Sequence, residues 1–166
     1  ALRITRLAQV REGLANAAKY LAAGDIFQPS DANALGAFRG VLSIDPRSRA
    51  AKRGLLEIEN TVLDEALRAA SEQRFADADA LLANAEAVGA ESTNRADYTT
   101  RIAALKQRAG EDFVLRAEAA IAANDLASAT ILLEQARVLG AAPERVAAIE
   151  QRRANANLYA SYQPGD

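Results

Sequence analysis

One stretch of this chain occurs twice. Phe75-Ala76-Asp77-Ala78, Leu81-Leu82, Ala85 and Val88-Gly89-Ala90 correspond, at a constant offset of 51 and without a gap, to Leu126-Ala127-Ser128-Ala129, Leu132-Leu133, Ala136 and Leu139-Gly140-Ala141. Stepping back by 44 places Ala34, Phe38, Val41 and Ile44 on Ala78, Leu82, Ala85 and Val88. Three copies of one small–large–small pattern at helical spacing leave few architectures open. A single helical hairpin cannot bury its own apolar stripe, so neighbouring copies must stack into a continuous core. Alanine, about a quarter of the residues, suits this. It loses no side-chain entropy on burial and lets helix axes approach closely, while Phe38, Leu82 and Leu133 fill the remaining space.

The breaks between helices are few. Gly24-Asp25 ends a first helix that begins near Thr5, and Pro29-Ser30-Asp31 marks a loop in which Ser30 or Asp31 caps the next helix. That helix carries Leu35, Phe38, Val41 and Leu42 and stops before Asp45-Pro46, because a residue preceding proline resists the α region. A long helix follows from about Pro46 to Gln73, then one ending at Gly89, whose glycine suits the left-handed cap. Ser92 starts another long helix ending near Asn124-Asp125. The next stops at Gly140, and Pro143 at a first-turn position opens a last helix to about Asn157. Gly54 and Gly110, inside the two long helices, are expected to mark bends. The expected class is all-α, about seven helices in stacked antiparallel hairpins. The hairpins cover about 5–44, 46–89 and 92–140, the last helix 143–157, and residues 158–166 lead through Pro164-Gly165 toward a further domain.

The spacing resembles the tetratricopeptide repeat. Copy one reads Ala17, Tyr20, Gly24 and Ile26, then an insertion from Phe27 to about Ala32, then Ala34, Phe38, Val41 and Pro46. Copy two reads Ala66, Ala69, Gln73, Phe75, Ala78, Leu82, Ala85 and Ala90, and copy three Ala117, Ala120, Asn124, Leu126, Ala129, Leu133, Ala136 and Ala141. The early first-helix positions depart from the family, holding Gly13 and Asn16, Val62 and Glu65, and Phe113 and Arg116. The repeat lengths of 44 and 51 exceed the family's usual length of about 34 residues. The resemblance therefore implies a divergent member with extended helices, in a short solenoid. The alanine-rich array leading into Pro-Gly is also similar to repeat regions that precede formylglycine-generating-enzyme-like domains in multidomain bacterial proteins. It resembles, too, repeats in bacterial cell-envelope proteins of the energy-transducer type. Ala1 stands first and no methionine occurs, so the sequence reads as a processed or excised piece of something larger.

If the tetratricopeptide phase holds, a concave face presents Arg11, Leu14, Ala18 and Leu21, then Asn60, Leu63, Leu67 and Ala70, then Glu111, Val114, Glu118 and Ile121. Two readings are open. Leu14, Leu21, Leu63, Leu67, Val114 and Ile121 line a groove for an apolar or helical peptide, or the first helices are rotated and the stripe is core. Polar residues at the family's core positions (Asn16, Glu65, Arg116) favour the second. Phe27 lies in the one irregular insertion, and inserts in repeat arrays map to one face, often a binding face. A basic cluster, Arg47, Arg49, Lys52 and Arg53 with Arg39 nearby, reads as a solvated face paired with Glu57 and Glu59, or as a site for an anionic partner.

Chemistry is sparse. With no Cys, His, Met or Trp, thiol nucleophiles, imidazole bases, Cys/His zinc sites and disulfides are excluded. No nucleophile elbow, phosphate loop or calcium loop occurs. Asp77 and Asp79, two apart, cannot face each other on a helix. Neither catalytic residues, cofactor nor metal ligands are expected. A net charge of −2 draws the chain neither to nucleic acid nor to acidic membranes, and no apolar run reaches the roughly 18 residues of a span. A cysteine-free chain fits cytoplasm or periplasm equally. Two functions fit: a non-catalytic module that holds a protein, a peptide or a neighbouring domain of its own chain, and a passive spacer between an upstream anchor and a downstream catalytic domain.

Overall fold

The computed structural model describes residues 2–162. It is all-helical over that span: α1 (Leu2–Ala23), α2 (Ala34–Ile44), α3 (Arg49–Ser71), α4 (Phe75–Val88), α5 (Arg95–Ala122), α6 (Leu126–Val138) and α7 (Pro143–Ser161). The last helix runs past Asn157 into the expected linker, and Gln163-Pro164-Gly165-Asp166 lie outside the described residues.

Local chemistry explains the ends. Asn33, rather than Ser30 or Asp31, caps α2. Its Oδ1 accepts from Gly36 N at 2.8 Å while its Nδ2 donates to the carbonyls of Pro29 (2.8 Å) and Phe27 (3.3 Å), so one side chain both starts the helix and ties down the insertion. The third helix begins later than Pro46, because Asp45 holds a turn: its carboxylate accepts from Arg47 N at 3.1 Å and its carbonyl from Ser48 N at 3.0 Å. Asp125 caps α6 and Pro143 is the first residue of α7. The three turn positions aligned as Gly24, Gln73 and Asn124 all have positive φ, at 81°, 60° and 62°. The internal alignment therefore marks one backbone feature three times, and only the first copy uses the residue without a steric penalty there.

The repeated pattern is the buried face. Ala34, Phe38 and Val41 in α2, Ala78, Ala85 and Val88 in α4, and Ala129, Leu133 and Ala136 in α6 are all buried. Helix α3 is continuous through Gly54. A Cβ there would lie 2.2 Å from Phe38 Cζ, so the glycine makes room for the ring of α2. Gly110 plays the same part in α5, where a Cβ would meet Ala141 N at 3.0 Å and Ala136 O at 3.1 Å.

Two compact units result: residues 1–69 with 76–98, and residues 70–75 with 99–166. In the first, Ala17, Phe38, Val41, Leu55 and Ile58 form one core cluster and Val62, Leu63 and Ala85 another. In the second, Val114, Ala117, Leu133, Val146 and Ile149 pack together.

Candidate interaction surfaces

The first-helix stripe runs from buried to exposed positions. Leu63 and Val114 have no accessible surface, so neither touches a partner in this conformation. Leu14 and Leu21 are half-buried against the first cluster, and Ile121 against that of the second unit. Leu67 is half-buried. Phe27 is half-buried and packs on both clusters of the first unit.

Asn60, Glu111 and Glu118 of the stripe are paired, as is neighbouring Asp64. Asn60 Oδ1 accepts from Asn94 Nδ2 at 2.8 Å, and Tyr98 OH donates to Asp64. Glu111 accepts from Ala142 N at 2.9 Å and from the Arg145 guanidinium, and Glu118 accepts from Arg152 Nη1 at 3.3 Å. Four of these pairs, Asn60–Asn94, Asp64–Tyr98, Glu111–Arg145 and Glu118–Arg152, join residues 34 apart. Within each unit these side-chain pairs recur at a spacing of 34, although the sequence repeats at 51.

An ion pair with a buried carboxylate belongs to the same face. Glu59, without accessible surface, accepts from Arg95 Nε at 2.8 Å and Nη2 at 3.0 Å, and Arg95 Nη2 also donates to Ala90 O at 3.2 Å. The hydrogen bond to Glu59 holds the Arg95 guanidinium above its ordinary value, aided by the charges of Glu59 and Glu86 and opposed by burial.

Large apolar side chains are exposed on α1, α5 and α7 (Ile4, Leu7, Leu115, Leu158 and Tyr159) and on the outer side of α6. Ile131 and Val138, seven apart and so on one helix face, are 62% and 75% exposed. With Phe75, Phe113 and Leu139 they line a groove of about 560 Å³ whose polar edge is Gln73, Thr130, Glu134 and Gln135. Arg116 lies over the Phe113 ring, 5.1 Å from its centroid. At the offset of 51 the counterparts of Ile131 and Val138 are Ala80 and Ala87, also exposed. The two copies share a framework and differ here in carrying large side chains on the surface.

Among the described residues no group of His, Cys, Asp or Glu is placed to hold a metal ion, and no helix is long and apolar enough to cross a membrane. Comparison with family models, curated proteins and solved structures returns no match.

Proposed function

We propose that this chain is a non-catalytic interaction module, a divergent tetratricopeptide-like array, whose contact surface is the groove along α6 and whose occupant is the apolar stripe of a partner helix. The observation that carries the reading is the pair Ile131 and Val138. Each stands where the neighbouring copy has an exposed alanine. A β-branched residue costs up to about 0.7 kcal/mol of helix propensity relative to alanine, and its exposed methyls gain nothing in the free chain. Burial of such side chains against a partner supplies the compensation, at about 25 cal/mol per Å². The 34-residue spacing of helix contacts supports the tetratricopeptide-like part of the reading.

Site-directed photocrosslinking tests it. Benzoylphenylalanine at Val138, in the protein expressed in its host cell, yields a discrete protein adduct that Ile131→Asp removes, whereas the same label at Ala87 yields none. Equal labelling at both positions, or no discrete adduct at Val138, contradicts the reading and leaves the spacer.

A further inference from the structure

The cations at the start of α3 border a second hollow, wholly within the first unit. Leu42 of α2 with Leu55 and Leu56 of α3 form its floor, in an opening of about 560 Å³ rimmed by Arg49, Lys52 and Arg53. Leu55 is buried, Leu42 and Leu56 are half-buried and the three cations are exposed. Pairing with Glu59, expected from the sequence, does not form, because both Glu59 oxygens are taken by Arg95. Arg39 turns away to donate to the carbonyls of Ala87 and Val88 at the end of α4. Lys52 reaches Glu91 at 2.9 Å in a pair exposed on both sides, of a kind that exchanges readily. The guanidinium groups of Arg49 and Arg53 have no hydrogen-bond or ion-pair partner among the described residues.

This is an unfavourable place for unpaired positive charge. Arg49 and Arg53 are four apart and share a helix face, where like charges repel, and the first turn of α3 carries no acid. An apolar floor beneath a cationic rim is complementary to one kind of ligand. We propose that this hollow docks an acidic amphipathic helix of another protein, with large apolar side chains entering between Leu42 and Leu56 and carboxylates meeting Arg49 and Arg53. The site is separate from the α6 groove and stands or falls independently of it. Nucleic acid fits less well, since no aromatic side chain lines the hollow for base stacking. An anionic membrane would bring its charge to a surface where only three cations converge and Glu91 opposes them.

Selection from a displayed library of random peptides of about 15 residues against the intact chain provides the test. Enriched peptides carry paired acidic and large apolar residues at helical spacing, and their affinity falls with added salt. Arg49→Glu with Arg53→Glu weakens them by about tenfold or more, equivalent to about 1.4 kcal/mol. In that double variant Arg49→Glu places an acid in the first turn of α3, where the helix dipole favours it, and Arg53→Glu changes an exposed side chain, so the unfolding temperature does not fall. The proposal is overturned if no peptide is enriched, if enriched peptides lack acids, or if the double variant binds them unchanged. Retention of an RNA oligonucleotide or of phosphatidylserine vesicles in place of acidic peptides overturns it as well.

Discussion

Glu59 and Arg95 meet through both carboxylate oxygens, at 2.8 and 3.0 Å, with the glutamate wholly out of solvent. The pair fastens α3 to the first turn of α5. Desolvating a carboxylate is tolerable only while its partner remains, so removing one member costs far more than the pair is worth. Arg95→Met is expected to lower stability by about 3–5 kcal/mol, and Glu59→Leu combined with Arg95→Met to recover most of that loss. Urea unfolding of the single and double variants checks both values.

Two glycines should answer against helix propensity. Exposed glycine-to-alanine changes within a helix gain up to about 1 kcal/mol. Gly54→Ala instead drives a methyl to 2.2 Å from Phe38, and overpacking of this kind costs about 1–3 kcal/mol. Trimming the ring with Phe38→Leu should restore part of the loss. Gly110→Ala meets the backbone of Ala141 and Ala136, so no side-chain trim relieves it. Thermal unfolding of the three variants distinguishes these cases.

Much of this was readable locally. Gly89, Gly140 and Pro143 end or open helices where their own conformational limits require. The small residues Ala78 and Ala129 are buried because their spacing follows the helical period. What local reading missed depends on partners far along the chain. Glu59 and Arg95 are 36 residues apart, and neither carries a local mark of the pairing. The tetratricopeptide phase puts Leu63 and Val114 on a concave face, whereas both side chains are without accessible surface, in the core of their own units. Ile131 and Val138 were visible, but only to a reading of where the two copies differ.

Asp125 sets an acid-side limit on α6. Hydrogen bonding from Ser128, side chain and backbone, holds its carboxyl below the ordinary value of 3.8, with Ser128 N donating to Oδ1 at 3.0 Å. A group depressed on folding stabilises fully above its unfolded value and loses that contribution as pH falls through the folded one. Asp125→Asn retains a capping acceptor but no charge. The stability gap between wild type and this variant should therefore narrow as pH drops below about 4, as followed by unfolding temperature across an acid series.

Thermal and urea unfolding of four truncations, Leu63→Ala, Val114→Ala, Ile131→Ala and Val138→Ala, tests most directly which apolar residues build the chain and which are offered outward. Loss of a buried leucine should cost about 2–5 kcal/mol, and Val114→Ala less in proportion to its size. Ile131→Ala and Val138→Ala should change stability by no more than about 0.5 kcal/mol, or raise it through helix propensity. Losses at Ile131 and Val138 as large as at Leu63 would contradict the account, by making the face of α6 part of the core.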